Sequence, residues 1–483
     1  MIGRLRALLA HLDRLPARVE IPIVAGLTTL YFVSYAALSI LRHVTYHSFG
    51  PDLGLFDQIF WNTTKGRFFE STMSLGLPQP HSYFSDHFSP VYLVMLPFYG
   101  LLPLPQTLLV AQTLALALGV VPIYLLARAR FSGSAVRLAW VLAYFLFLPL
   151  AFINLYDFHE LAFAVLPLGL ALYFLETRRP GLFLLSLLAA FTVKEDLPLV
   201  GIGFAAYILT AKRDLRLGLS TLGLSLLTFV GVIRLLIPAF GGGSAYVYFA
   251  SRYGQLGDSP IQIVETVLTN PRRLASTLFQ LQKLKFVVAI FGPLLGASFL
   301  SGFGVLLLLP TLAILLLSNY APQFSVSSHY AAPLIPLTLG TAIIGVARLQ
   351  PGLQRLVTAA VLISSLGFSL ALGDLPFSRH FDPRLFTNEP RYLAFASNLS
   401  RIPADASVAA ENDLTPHLSH RRLIYDIEYE GIVNADYLAL DAAGVGHDGA
   451  RFDRQLADFE SRGYQLIAAG DGLALLERDD RVH

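Results

Sequence analysis

Cysteine is absent from the 483-residue sequence, which excludes disulfide bonds, thiolate nucleophiles and zinc sites built on cysteine ligands. Charge is also scarce, because only 14% of the residues are Asp, Glu, Lys or Arg, against about 25% in ordinary soluble domains. The net charge of only +2 gives no indication of a nucleic-acid partner. In place of charge the chain has a hydrophobic share of 54%, which a lipid bilayer accommodates and a soluble core does not.

Long apolar runs bounded by charged residues, Pro or Gly predict the membrane crossings. By length and hydropathy we expect a mainly α-helical, polytopic bundle of about eleven spans. The runs lie at residues 20–42, 106–127, 138–155, 161–176, 181–194, 197–211, 217–238, 286–301, 303–318, 331–347 and 356–373. Two of them, 181–194 and 197–211, are shorter than the roughly 20 residues of a full crossing, so a sheltered helical hairpin is the alternative there.

Basic residues predict the orientation, because cytoplasmic loops are enriched in Lys and Arg. If every span crosses, one side receives Arg4, Arg6, Arg14, Arg18, Arg128, Arg130, Arg137, Arg178, Arg179, Lys212, Arg213, Arg216, Arg348 and Arg355. This predicts a multi-pass plasma-membrane protein whose N-terminus is cytoplasmic. The loop 239–285 is basic and yet external in this scheme, which the rule tolerates for longer loops.

The composition changes after Asp374 to that of a soluble protein. We therefore expect a transmembrane domain over residues 1–374 and a small extracytoplasmic α/β domain over residues 375–483. In the second domain RYLAFASNL and the region 450–463 are predicted helices. SVAA, LIYDI, YLALDA and the hairpin YQLIAAGDGLALLER are predicted strands.

The external side collects most of the chemically useful residues, beginning with the first loop, 43–105. Asp52 and Asp57 stand at the start of a predicted amphipathic helix, and Asp86 and His87 follow in the same loop. Capping of the helix explains one carboxylate. Two carboxylates near a histidine also suit a site that takes a proton or holds a divalent cation.

Further polar residues lie at the external ends of spans, in three turns. They are Asp157, His159, Glu160, Lys194, Glu195, Asp196, His329 and Tyr330. Charges between short apolar stretches are costly and usually functional, although an interfacial belt or an ion pair within a hairpin is the structural alternative. Near the end of its span, Arg234 either snorkels or faces an anionic group such as a lipid-linked phosphate.

Several of these motifs resemble known membrane proteins. The run from Asp52 to Gly66, with Phe56 four residues after the acid, resembles the first-loop motif of the GT-C glycosyltransferases. HFSPVY resembles their downstream Pro-Pro-Leu-Tyr segment, in which Pro90 and Tyr92 match. Together, DLGLFDQIFW, HFSP and the FHE and KED turns resemble a family of prokaryotic membrane proteins, domain of unknown function 2079, over about residues 20–340.

This resemblance implies a GT-C-like fold and transfer of a sugar from a polyprenyl-phosphate-linked donor to a glycan, lipid or protein acceptor outside the cytoplasm. An acid in the first external loop is the catalytic base of that superfamily, which implies Asp52, with Asp57 and Glu195 as alternatives. GT-C enzymes often carry adjacent acids there, whereas Leu53 follows Asp52. Dependence on a divalent cation, Mg²⁺ or Mn²⁺, is therefore left open.

The other polar residues are candidates for binding the substrates. Those expected near the reacting groups are His87, His159, Glu160, Lys194, Asp196, His329 and Tyr330, and those expected at the departing phosphate are Arg234, Arg272 and Arg273. Because the candidate acids and histidines fall on one side of the membrane, we expect them to share one cavity. Two other functions fit the same residues: an ion- or proton-coupled transporter, and a non-catalytic protein of envelope polysaccharide assembly on this scaffold.

Overall fold

A computed structural model describes residues 15–73, 80–241, 246, 248–430, 434–442 and 449–479. Helices dominate the region before residue 375. The α-helices there are Ala17–Val44, Leu55–Thr64, Val91–Leu101, Pro105–Leu118, Val120–Arg130, Ser134–Phe145, Leu148–Leu155, Val165–Glu176, Pro180–Phe191, Val200–Tyr207, Leu215–Gly231, Ile237–Phe240, Tyr248–Tyr253, Pro260–Thr269, Pro271–Leu278, Leu281–Phe291, Leu309–Leu316, Leu334–Val346 and Pro351–Leu372. Segments of 3-10 or π-helix lie between them at Gly50–Gly54, Tyr83–Ser85, Glu160–Ala164, Leu197–Leu199, Ile208–Lys212, Val232–Leu236, Ala297–Leu307, Ala321–Phe324 and His329–Ala331. Arg4, Arg6 and Arg14 of the orientation argument lie outside the described residues.

Local sequence signals fix where several helices begin. Pro105, Pro180 and Pro351 each occupy the first helical position, where proline is favoured because its φ suits a helix and no N–H is left unpaired. Asp214 caps another helix by accepting the backbone N–H of Leu217 at 3.0 Å. These starts fall within a few residues of those that hydropathy predicts.

Among the described residues, five helices are long and apolar enough to cross a membrane. They are Ala17–Val44, Pro105–Arg130, Leu215–Phe240, His329–Val346 and Pro351–Leu372. Three bent pairs raise the number to eight if each pair is one span. The expectation of about eleven spans also counted shorter helices such as Pro180–Phe191, which has 12 residues and is too short to cross alone.

The largest departure from the predicted boundaries follows the helix Leu281–Phe291. The sequence predicts spans at 286–301 and 303–318, but the 3-10 segment Ala297–Leu307 crosses the predicted boundary and bends by 88° into the next helix. Gly296 and Gly302 have φ values of 68° and 60°, a conformation that glycine adopts without steric cost. Hydropathy does not register these breaks, because glycine is compatible with an apolar run.

In the first loop, β1 (Glu70–Ser71) pairs with β2 (His81–Ser82) in a short antiparallel ribbon.

The C-terminal region forms a small α/β domain, as predicted. The main sheet has the order β4-β3-β5-β7-β6 and consists of β3 (Val408–Ala410), β4 (Ile424–Asp426), β5 (Tyr437–Asp441), β6 (Tyr464–Gly470) and β7 (Leu473–Arg478). β3 is parallel to β4 and β5, whereas β7 is antiparallel to β5 and β6. Helical segments accompany the sheet at Pro383–Phe386, Pro390–Leu399, Thr415–His417, Ile427–Glu430 and Gly449–Ser461.

The first loop and the C-terminal domain share one hydrophobic core. Phe56, Phe60 and Tyr92 from the N-terminal part pack in the same buried cluster as Tyr392 and Leu475. A separate and larger cluster fills the helical bundle. The packing therefore joins the C-terminal domain to the loop that carries Asp52.

Candidate functional site

Asp52 lies in the turn Gly50–Gly54, which leads into the helix Leu55–Thr64. Its side chain is 18% exposed, whereas Leu53 and Phe56 beside it are buried. The buried neighbours hold the turn in place, and the partial exposure leaves the carboxylate accessible from a cavity.

His159 is the closest ionisable partner of that carboxylate. Asp52 Oδ1 is 3.1 Å from His159 Nε2. The His159 ring stacks on His329 with centroids 3.5 Å apart, and its backbone N–H donates to Gln112 Oε1 at 2.7 Å. Three separate segments therefore position a carboxylate–imidazole pair, which is a suitable arrangement for accepting a proton from a substrate.

Asp157 ties the Asp52 turn to the first long helix. Its Oδ1 accepts a hydrogen bond from Arg42 Nη1 at 2.8 Å, and its Oδ2 accepts the backbone N–H of Phe49 at 2.9 Å. Burial raises the pKa of Asp157 to about 7, with Arg42 opposing the rise and Asp52 adding to it. Its φ of 118° is unusual for a residue with a side chain, and such strain concentrates near functional sites.

Two buried acid–base pairs lie next to Asp52. Glu160 forms an ion pair with Lys194 and accepts the Tyr92 hydroxyl at 3.0 Å. Glu195 Oε1 is 2.7 Å from His87 Nδ1. Burial alone would raise the pKa of Glu195, but His87 and Lys194 together outweigh burial and leave that pKa below its ordinary value. Both carboxylates are therefore paired with a basic side chain.

These groups surround a cavity of about 310 Å³, here called the central cavity. Its charged and polar lining consists of Asp52, Tyr83, Asp86, His87, Tyr156, His159, Glu160, Lys194, Tyr248, Ser251, Arg252, Tyr320, His329 and Tyr330. The volume suits a monosaccharide-sized group, and the lining offers donors, acceptors and both signs of charge to it.

Arg252 is the cation of the central cavity that lacks a carboxylate partner among the described residues. It lies on the short helix Tyr248–Tyr253, and its guanidinium is 4.4 Å from the Tyr248 ring centroid and 5.5 Å from those of Tyr320 and Tyr330. Its Nη2 donates to the Tyr330 hydroxyl at 3.4 Å. Aromatic faces hold a guanidinium without neutralising it, so its charge is available to an anionic ligand.

Two apolar grooves meet the central cavity. The Arg252 groove, of about 490 Å³, shares Tyr248 and Arg252 with the cavity, and membrane helices supply its apolar lining. The Tyr156 groove, of about 990 Å³, shares Tyr156 and Pro322 with it. An apolar chain in either groove would therefore have a polar headgroup at the central cavity.

Comparison with known proteins decides the family. The family described as Predicted membrane protein (DUF2079) matches residues 42–475. The chain belongs to that family. The resemblance drawn from the first-loop, FHE and KED motifs is thereby confirmed, and the match extends past residue 340 into the C-terminal domain. No curated protein has significant sequence similarity to this DUF2079 protein.

Solved structures with a similar fold include two of ArnT from Cupriavidus metallidurans. ArnT bound to undecaprenyl phosphate has a TM-score of 0.58 at 12% identity, covering 96% of this chain and 99% of that chain. Apo ArnT has a TM-score of 0.54 at 13% identity, with 94% and 98% covered. ArnT is a GT-C glycosyltransferase, so this DUF2079 protein has the GT-C fold that its sequence motifs imply.

The structure brings most of the predicted site residues together. Seven of them line the central cavity: Asp52, His87, His159, Glu160, Lys194, His329 and Tyr330. Glu195 contacts His87 and, with Asp196, lines the Arg252 groove. Burial raises the pKa of Asp196 to about 6, with Glu195 adding to the rise.

Asp57 does not line the central cavity. Its fully buried carboxylate accepts hydrogen bonds from the Tyr99 hydroxyl at 2.6 Å and from the Ser419 hydroxyl at 2.6 Å, and lies 2.9 Å from His420 Nε2. The expectation of one shared cavity therefore fails for Asp57, and Glu195 and Asp196 line the adjoining Arg252 groove instead of the central cavity. Five residues along a helix correspond to a rotation of about 140°, which turns Asp57 towards the C-terminal domain.

The three arginines predicted to meet a phosphate also lie away from the central cavity. Arg234, Arg272 and Arg273 are exposed and are absent from its lining. Arg252 comes from the same basic loop, 239–285, and does line it. The aromatic-rich run YVYFASRY around Arg252 is the sequence signal that identifies it, because aromatic rings pair with guanidinium groups.

The sequence leaves open whether the protein depends on a divalent metal ion. Among the described residues, no group of three His, Asp or Glu side chains is placed to hold one. Mg²⁺ is commonly bound by one or two carboxylates together with substrate phosphates and waters, and Asp52 is a carboxylate of the central cavity. The described residues therefore contain no preformed site of three protein ligands, and Asp52 is the residue that would contact a cation brought by a phosphate.

Proposed function

We propose that this protein is a membrane glycosyltransferase that moves a sugar from a polyprenyl-phosphate-linked donor to an acceptor on the extracytoplasmic side. The observation that carries the proposal is the central cavity, which is lined by the Asp52–His159 pair and by Arg252, a cation without a close carboxylate partner among the described residues. Arg252 also lines an adjoining apolar groove. A donor of this class needs all three features: a base, an anion site and a place for its lipid tail.

Asp52 is the proposed catalytic base. The acceptor hydroxyl gives its proton to the Asp52 carboxylate as its oxygen forms a bond to the anomeric carbon of the sugar. The bond between that carbon and the phosphate oxygen breaks, and polyprenyl phosphate leaves with the electron pair. His159, 3.1 Å from Asp52, orients the carboxylate towards the cavity.

Arg252 is the proposed phosphate-binding residue. Charge grows on the phosphate as the glycosidic bond breaks, and a positioned guanidinium stabilises that charge. Its place where the central cavity and the Arg252 groove meet suits a phosphate whose polyprenyl chain extends along the apolar lining. Lys194 is bound to Glu160 and is therefore less available for the same task.

A transfer assay tests the proposal. Full-length protein in nanodiscs is given undecaprenyl phosphate carrying labelled sugars of several kinds, together with membrane extract as the acceptor source. We expect labelled product and free undecaprenyl phosphate in equal amounts. Absence of transfer, together with no binding of undecaprenyl phosphate, would exclude the proposed function.

The same preparation distinguishes the proposed transferase from its main alternative, a transporter. A transporter would move protons or ions across sealed proteoliposomes in the absence of any lipid-linked sugar. We expect no such flux. A measurable flux that is lost on substitution of Glu160 or Glu195 would favour the transporter over the transferase.

A further inference from the structure

The Asp52 turn is held by two consecutive backbone amides. The N–H of Phe49 donates to Asp157 Oδ2 at 2.9 Å, and the N–H of Gly50 donates to Asn412 Oδ1 at 2.6 Å. Asp157 belongs to the membrane bundle, whereas Asn412 belongs to the C-terminal domain. The turn is therefore bonded on both sides, by residues from two different parts of the chain.

Asn412 is built into the carboxyl end of the parallel part of the sheet. It follows β3 and is buried, with 6% of its surface exposed. The preceding residue, Glu411, continues the sheet bonding, because its N–H donates to the carbonyl of Ala439 at 2.9 Å. The backbone is therefore anchored to the sheet at the residue before Asn412, and the buried side chain of Asn412 is directed to the Asp52 turn.

The fit at Gly50 shows how closely the C-terminal domain approaches the turn. A Cβ on residue 50 would lie 2.3 Å from Asp426 Oδ2 and 2.9 Å from Thr415 Cβ. At the other end of the turn, a Cβ on Gly54 would lie 3.3 Å from the backbone nitrogen of Pro416. Glycine is required at position 50 because the C-terminal domain occupies the space that a side chain would need.

We propose that Asn412 is a positioning residue for Asp52, which makes the C-terminal domain part of the catalytic site. The inference rests on the proposed transferase function, with Asp52 as the base. Asn412 bonds the residue two positions before Asp52, and displacement of a reacting group by about 1 Å costs on the order of 100-fold in rate. Neither Asn412 nor Gly50 lines the central cavity, so the affinity for a substrate bound there is expected not to depend on this bond.

The alternative is that Asn412 only holds the C-terminal domain against the first loop. A matched control distinguishes this role from the positioning of Asp52. Ser419 donates a hydrogen bond to Asp57 across the same interface at 2.6 Å, on the side of the helix that faces away from the central cavity. Asn412→Ala and Ser419→Ala each remove one hydrogen bond between the domain and the first loop. Only the first removes a bond to the Asp52 turn.

The experiment measures kcat, donor KM and hydrogen–deuterium exchange in full-length variants in nanodiscs. We expect Asn412→Ala to lower kcat by about 10- to 100-fold, to leave the donor KM unchanged, and to speed exchange at the amides of residues 49–54. Ser419→Ala should retain kcat and leave that exchange unchanged. Asn412→Asp, which keeps an accepting oxygen, should restore most of kcat and of the protection.

Two outcomes would overturn the inference. One is a kcat for Asn412→Ala equal to that of Ser419→Ala, and the other is unchanged exchange at residues 49–54. If Asn412→Ala does not fold, the same comparison is made with Asn412→Ser, whose shorter side chain also fails to reach Gly50. If the wild-type chain performs no transfer while exchange responds as expected, the proposed function fails and the bond to the turn stands.

Discussion

Both ends of the helical bundle bury carboxylates that are enclosed by their partners, and one end also has a carboxylate that opens into a cavity. Glu160 and Glu176 lie at opposite ends of one helical stretch, Glu160–Glu176. Glu176 forms ion pairs with Arg130 and Lys212 and accepts the Tyr207 hydroxyl at 2.8 Å. At this Glu176 end, three partners on other segments of the chain enclose the carboxylate and occupy its oxygen atoms.

The Asp52 end has a different arrangement. Asp52 is 18% exposed, against 2% for Glu176 and 1% for Glu20, and its contact with His159 leaves room for a ligand. Glu20 is bound by Arg137 through both oxygens, at 2.8 and 2.7 Å. The comparison teaches that charge near the membrane is not by itself a functional signal. The useful distinction is between a carboxylate enclosed by its partners and one that opens into a cavity.

The largest expected effect tests that distinction directly. Asp52→Asn should lower the transfer rate by about 10²- to 10⁴-fold, because an amide cannot accept the proton. Asn preserves size and capping ability, so the chain should remain folded. Asp57→Asn is the matched control, and it should retain transfer per folded protein. Loss of activity in the Asp57 variant alone would reverse the two roles.

Arg252→Gln should weaken binding of undecaprenyl phosphate by about 10- to 100-fold, the equivalent of one charge-assisted hydrogen bond. Isothermal titration or tryptophan quenching in nanodiscs measures this affinity. Arg234→Gln and the double change Arg272→Gln, Arg273→Gln should leave the affinity unchanged, because those side chains lie outside the central cavity. The opposite pattern would support the phosphate site that the sequence predicts.

At the Glu176 end, Glu176→Gln should destabilise the fold and leave catalysis intact. Removing one buried charge from its partners costs about 1–3 kcal/mol. The midpoint of thermal unfolding should fall, while kcat per folded molecule and donor affinity stay at wild-type values. A fall in kcat without a change in stability would show that this end also takes part in the reaction.

The smallest expected effect is a pH dependence of the C-terminal domain. Burial raises the pKa of Glu411 to about 8 and that of Asp413 to about 7. Between about pH 4 and 8 the folded state therefore binds more protons than the unfolded state, so the free energy of unfolding falls as pH rises. Unfolding at pH 7 and pH 8 should differ by on the order of 1 kcal/mol, and Glu411→Gln should reduce the difference. Stability that rises with pH would contradict this assignment.

Much of the bundle follows from the sequence, because apolar length and proline starts are local signals. Ala17–Val44 and Pro351–Leu372 are observed close to the predicted 20–42 and 356–373. The bend after residue 296 was not predictable in this way, since it depends on the φ angles of Gly296 and Gly302. Composition records that a glycine is present and not which conformation it takes.

The grouping of site residues was partly predictable for a similar reason. Topology alone gathers His159, Lys194 and His329 at one end of the bundle, because each stands at the end of a helix. Predicting that Asp57 lies apart from Asp52 would have required knowing that Asp57 binds Ser419, a residue of the C-terminal domain. No local pattern links two residues so far apart in the chain.

The core shared by the first loop and the C-terminal domain has a consequence for biosynthesis. Residues 53–109 are synthesised on the order of 300 residues before residues 392–475 that cover them, a delay of roughly 15 to 60 seconds at about 5–20 residues per second. During that interval, aromatic residues such as Phe60 and Tyr92 have no partner from the C-terminal domain. Assembly of the first loop therefore waits for the last part of the chain, and an interrupted chain leaves that loop open to proteases and chaperones.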